Sequence, residues 1–211
     1  MHRLSRERSR TGLWSNRPLF PTPGATPMAL KATIYKANLQ IADMDRNLYV
    51  DHAVTIARHP SEADERMMIR LLALMLNLPA DANHGTLELA KDLWEADEPA
   101  LWHKDLTGEL KHWVEVGQPD DKRLMKASGR SDRVSVYGFS HSTPIWWSGI
   151  ATKITRASNI AVWQIEAAQS QALAVLAARS MQLQVSVQDG TVYIGDGERS
   201  VEITPQRLNP A

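Results

Sequence analysis

Trp113-Val-Glu-Val-Gly-Gln-Pro-Asp-Asp-Lys-Arg-Leu-Met-Lys-Ala127 reads as a buried strand ending in a carboxylate, Glu115, followed by a glycine turn at Gly117. A helix then opens at Pro119, where a proline suits the first turn, and carries Lys122, Arg123 and Lys126. Ten residues before Glu115 stands a second acid, Asp105. A strand-borne acid, an acid on the preceding strand and a nearby lysine are the parts of a metal-dependent phosphodiester-cleaving site. The acidic oxygens would hold a hard cation, Mg²⁺ or Mn²⁺, and the lysine would orient water or neutralise the phosphate. Lys122 and Lys126 stand four apart, so they share one helix face. The opposing assignment is that Asp105 and Asp120 are turn and cap acids and the lysines a solvated face.

The 211 residues suffice for one sizeable core. Charge is balanced overall, with 24 basic and 24 acidic residues. Five of the basic residues and one of the acidic lie in residues 1–27, leaving 19 and 23 in a mildly acidic body. A basic footprint for long nucleic acid is therefore not visible in composition. The absence of cysteine excludes disulfides, thiolate zinc sites and cysteine nucleophiles. Apolar runs fall short of the roughly 20 residues a membrane span needs, and the N-terminus lacks the apolar core of a secretory signal. The expected setting is the cytoplasm.

Residues 1–27, rich in Arg, Ser and Pro, read as an extension outside the fold, and residues 28–211 as the domain. Alternating patterns over 31–42 and 48–57 predict a hairpin. Apolar spacing through Met67, Met68, Leu71, Leu72, Met75 and Leu78 predicts a helix over 62–78, with Ser61 as its cap. Strands are expected at 86–94, 109–116, 133–139 and 160–165, with a loop between the first two. Helices are expected at 119–129, 143–154 and 166–179. Three closing strands follow, with Asp189-Gly190 as a tight hairpin turn. This order predicts a single α/β domain with one mixed β-sheet flanked by helices.

Other chemistry is sparsely signalled. Glu62, Asp64 and Glu65 suit a helix N-terminus, where acids complement the dipole, although Glu65 is also within reach of a metal site. His103 and His112 read as surface residues, and no histidine pair has zinc-site spacing. Phosphate-loop, dinucleotide and nucleophile-elbow motifs are all missing. Trp146-Trp147, adjacent on a helix, either wedge between helix and sheet or offer a platform to a base or a partner.

Several stretches together resemble the YaeQ family of bacterial proteins. They are Met28-Ala-Leu-Lys-Ala-Thr-Ile-Tyr-Lys36, Asp45-Arg-Asn47, Ala57-Arg-His-Pro-Ser-Glu62, Glu65-Arg-Met-Met68, Glu115-x-Gly-x-Pro-Asp120 with Arg123 and Lys126-Ala127, Trp146-Trp147 and Gln188-Asp-Gly190. The resemblance implies a compact variant of the PD-(D/E)XK nuclease fold, a restriction-endonuclease-like core with an N-terminal hairpin. It casts Asp105 and Glu115 as the motif's two acids and Glu65 as the first helix's acid. Glycine stands where the motif lysine belongs, and Lys126 would replace it from the following helix. The implied activity is Mg²⁺-dependent cleavage of nucleic acid. The alternative is a non-catalytic module that binds nucleic acid or the transcription apparatus through Lys122, Arg123, Trp146 and Trp147.

Overall fold

The computed structural model describes residues 31–209. The expected extension over 1–27 lies outside the described residues. β1 (Thr33–Asp43) and β2 (Leu48–Arg58) form the expected hairpin. Its turn uses Asn47 at φ 51°, a left-handed conformation that asparagine tolerates better than most residues. The turn also serves the next element. Arg46 is held by Asp43 through its Nε (2.6 Å) and donates to the carbonyls of Met75 and Leu78. These are unsatisfied acceptors at the end of α1 (Asp64–Asn77), a helix with no basic residue in its own last turn.

α1 is buried on every side, from Met67 through Met75. A helix enclosed on every side belongs in a core rather than on a surface, and its one buried charge, Arg70, needs a partner there. Here it shares one cluster with Leu39, Ile41, Leu183 and Val185 on one side and Leu101, Val114 and Val116 on the other. Truncating a side chain such as Leu72 to alanine would cost about 2–5 kcal/mol. Ser61 is not the cap. Ala63 holds that position, and the Ser61 hydroxyl meets His59 Nδ1 at 2.6 Å.

The strands form two mixed sheets, not the single one expected. One runs β10–β9–β8–β1–β2, where β8 is Ser180–Gln188, β9 Thr191–Gly195 and β10 Ser200–Ile203. In it β1 lies parallel to β8, from the far end of the chain. The other runs β11–β7–β6–β5–β4–β3. Its strands are β3 (Thr86–Leu89), β4 (Leu101–Lys104), β5 (Leu110–Val116), β6 (Arg133–Gly138), β7 (Ile160–Gln164) and β11 (Gln206–Arg207). β4 occupies part of what the sequence suggests is loop, and residues 92–94 form a helical turn rather than extending β3. Periodicity identifies strands, but it carries no information about which strands pair.

α2 (Asp121–Ser128) and α3 (Thr143–Ile150) cover one face of the second sheet over Trp113, Val134, Val136, Ile160 and Val162. α4 (Ala167–Ala174) packs beside α1. The Asp189-Gly190 turn has φ 51° and 75°, as a tight hairpin turn requires. Asp45 accepts both of its amide hydrogens at 2.8 Å, tying the two hairpin turns of the first sheet together.

Candidate functional site

β5 alternates as a buried strand should. Val114 and Val116 enter the α1 cluster, while Trp113 enters the α2–α3 cluster. Glu115 is only 4 % exposed. Its Oε1 accepts from the Trp113 indole (2.6 Å) and from Arg123 Nε (2.6 Å). Arg123 is placed by the helix start. Asp120 caps α2 by accepting the Arg123 amide at 2.7 Å, so the helix proper begins two residues after Pro119. The rest of the guanidinium grips the loop before β4, through the carbonyls of Ala96 and Glu98. Burial pushes the Glu115 carboxyl up despite Arg123, and Asp92 adds to the rise.

Asp92 belongs to a second charged group behind this one. Arg66 grips Asp92 with two hydrogen bonds (2.6 and 2.9 Å), reaches Glu62 at 2.7 Å and donates to the Val116 carbonyl at 3.2 Å. Arg70 donates to the other oxygen of Glu62 at 3.0 Å. Glu62, Arg70 and Asp92 are all nearly inaccessible. Burial alone would lower the Arg66 guanidinium, but Asp92 and Glu62 outweigh it and hold it above its ordinary value. For Arg70, burial wins and lowers it. Asp92 sits at φ 51°, strain maintained by its two arginines. The end of β5 therefore holds three carboxylates, Glu62, Asp92 and Glu115, matched by three guanidiniums, Arg66, Arg70 and Arg123.

The residues expected from sequence do not all meet here. Asp105 lies in the β4–β5 turn, where it accepts from the amides of Thr107 (2.8 Å) and Glu109 (2.9 Å) and from the Thr107 hydroxyl. It stands opposite Glu109, so the length of β5, roughly 20 Å, separates it from Glu115. The two strands run antiparallel through a tight turn, which carries the acid to the wrong end. Lys126 is bound to Asp97 at 2.7 Å, and Arg123 takes the place beside Glu115 that the lysine was to fill. Glu65 accepts from Ser170 at 2.5 Å, joining α1 to α4. Lys122 is exposed on α2. Trp146 and Trp147 are half-buried wedges against the α2–α3 cluster, and the Trp146 indole donates to the Pro119 carbonyl at 2.9 Å. Trp147 also lines a cleft beside Ala151 and Ile160. His112, read as a surface residue, is buried at 2 % exposure.

Asp92, Arg66 and Arg70 were missed as site residues, and Glu62 was read only as a dipole acid. One signal was available: two arginines four apart inside the apolar run of α1 require buried carboxylates. The fit to Mg²⁺ is poor. Among the described residues no three of His, Asp and Glu stand together as metal ligands, and the Glu115 oxygen facing Arg123 already accepts two N–H groups. No helix among the described residues is long and apolar enough to cross a membrane.

Together these features define a single α/β domain of two mixed sheets around a buried helix, with an arginine–carboxylate cluster at one strand end. Relatives share this architecture. The crystal structure of YaeQ protein from Xanthomonas axonopodis pv. citri matches with TM-score 0.80 at 40% identity, over 86% of this chain and 100% of that one. The Pseudomonas syringae YaeQ crystal structure matches with TM-score 0.77 at 34% identity, over 85% and 97%. The uncharacterised protein YaeQ of Salmonella typhi is 40% identical over 177 residues, 83% of this chain and 95% of its own length. The Escherichia coli K12 protein of the same name is 38% identical over 177 residues, with the same coverage. The YaeQ protein family profile matches residues 28–205, and the chain belongs to the YaeQ family.

Proposed function

We propose that this chain is a non-catalytic, nucleic-acid-binding module on a nuclease-like scaffold, working in the cytoplasm. The observation that carries this reading is the locked state of Glu115. The acid that the resemblance to nucleases casts as metal-holding is buried and spends its Oε1 on Trp113 and Arg123. The lysine cast as its partner is tied to Asp97. Lys122 remains exposed on α2, with no acidic partner among the described residues. An unpaired lysine suits a phosphate backbone. Nucleic acid is preferred to a protein of the transcription apparatus because the exposed, unpaired Lys122 suits a phosphate group.

The competing reading is a Mg²⁺- or Mn²⁺-dependent nuclease whose arginines withdraw when substrate arrives. Three carboxylates at one strand end and the strained backbone of Asp92 favour it. Fluorescence anisotropy with short single- and double-stranded DNA and RNA, run beside a cleavage assay with both metals, separates the two. The binding-module reading expects saturable, salt-sensitive binding that Lys122→Glu weakens several-fold and Glu115→Gln leaves unchanged, with no cleavage. Metal-dependent cleavage lost in Glu115→Gln would establish the nuclease instead. Absence of binding to every oligonucleotide at low salt would end both readings.

A further inference from the structure

A cleft of about 630 Å³ lies away from Glu115, between the second sheet and the hairpin turns of the first. Its volume is typical of a small-molecule site. The sequence of β6 explains why it is there. Residues of one face, Val134 and Val136, are fully buried beneath α2 and α3, while the other face presents Arg133, Ser135 and Tyr137. Arg133 is exposed, whereas Ser135 and Tyr137 line the cleft while nearly buried, and Tyr137 also joins the α1 core cluster.

These three side chains share an unusual property: each has donor capacity left over. Arg133 donates to His112 Nδ1 at 2.9 Å, and its remaining N–H groups have no acceptor among the described residues. Because arginine only donates, His112 Nδ1 must accept, so the imidazole proton sits on Nε2 and donates to Ser135 Oγ at 2.9 Å. The Ser135 hydroxyl hydrogen is then left without an acceptor among the described residues. Tyr137 repeats the pattern. Its oxygen accepts from Asn77 at 2.8 Å, and Asn77's other amide hydrogen goes to the Ala73 carbonyl. The phenolic hydrogen is also left without an acceptor among the described residues. Ser135 and Tyr137 are each only 4 % exposed. Burial and Arg133 push His112 down to about 3, which keeps it neutral, and burial pushes the Tyr137 phenol up.

The acids at the cleft are already engaged. Asp43 pairs with Arg46 at 2.6 Å, Asp45 holds the Asp189 and Gly190 amides, and Asp132 faces Lys111 at 3.3 Å. The Arg46 guanidinium, fixed by Asp43 and the α1 carbonyls, adds positive field near Arg133 and Tyr137. Trp163, Leu76 and Val187 supply apolar wall for an organic body.

We propose that this cleft binds a small phosphomonoester, its phosphate oxygens accepting from Arg133, Ser135 and Tyr137 and its organic part lying against Trp163. The unused donors of Arg133, Ser135 and Tyr137 favour an acceptor-only anion, and a guanidinium flanked by hydroxyls matches several phosphate oxygens at once. The site is independent of the reading of Glu115.

The test is calorimetric titration of the full chain with the four nucleoside monophosphates, the corresponding nucleosides and inorganic phosphate. At least one monophosphate should bind saturably, at least tenfold tighter than inorganic phosphate or its own nucleoside. Arg133→Gln, at an exposed position, and Ser135→Ala should each weaken it about tenfold, a loss of roughly 1.4 kcal/mol per site. Thermal melts identify which variants remain folded. No saturable binding by any monophosphate up to about 10 mM, weaker than the affinity of ordinary small-molecule sites, would overturn the proposal. So would an affinity unchanged in Arg133→Gln, or equal affinity for phosphate and nucleotide.

Discussion

Arg123 Nε meets Glu115 Oε1 at 2.6 Å, and the same guanidinium holds the carbonyls of Ala96 and Glu98. One side chain from α2 therefore neutralises the buried acid of β5 and fastens the loop that leads into β4.

Breaking this pair from either side leaves a partly buried charge. Glu115→Gln should cost about 1–3 kcal/mol, less than for a fully enclosed pair because Arg123 is 28% exposed. Arg123→Met strands the more deeply buried partner and should cost more. A double-mutant cycle in urea should give a coupling of about 1–3 kcal/mol. Additive losses would mean that the two residues act separately.

Asp92 tests the second group. Asn tolerates φ 51° nearly as well as Asp does, so Asp92→Asn removes the charge with little added strain. Arg66 and Arg70 would then face Glu62 alone, and the expected loss is about 3–5 kcal/mol in denaturant unfolding. A near-neutral result would show that the cluster tolerates unpaired guanidinium.

His112 makes stability depend on pH. Its pKa is lowered to about 3 in the fold, from an ordinary value of 6.5, so between those values the unfolded chain binds the extra proton. The histidine's contribution is fully present above about pH 6.5 and falls by up to about 1.4 kcal/mol per pH unit towards pH 3. Urea midpoints at pH 7 and pH 5 should differ in wild type, and His112→Asn should reduce that difference. Equal differences in the two proteins would contradict the assignment.

Trp146→Phe should separate packing from recognition. It removes the hydrogen bond to the Pro119 carbonyl, worth about 1 kcal/mol, while keeping most of the ring's contacts. A melting-temperature drop of a few degrees with oligonucleotide affinity unchanged is expected. A large affinity loss at unchanged stability would restore the tryptophan pair as a binding platform.

Much of this fold was legible in the sequence, and its limits have physical causes. The β1–β2 hairpin, α1, β5 and the Asp189-Gly190 turn follow from period and turn chemistry. The partition into two sheets does not, because β1 pairs with β8 through contacts that no local pattern encodes. β4 has four residues, too few for alternation to register, and that omission misplaced Asp105. Once β4 is recognised, the acid falls in a turn, and the carboxylates near Glu115 come from Glu62 and Asp92 instead. Glu115 itself is legible as the carboxylate that ends an apolar, strand-like run before the Gly117 turn. That the partner is Arg123 rather than Lys126 depends on how α2 is rotated against β5, which Asp120 sets.

The central claim, that Glu115 is locked to Arg123 rather than holding a metal, is tested most directly by calorimetric titration of Mg²⁺ and Mn²⁺ into the wild type and Glu115→Ala. The account predicts no saturable binding in either protein. Saturable binding in the wild type that disappears in Glu115→Ala would contradict it and make Glu115 a metal ligand.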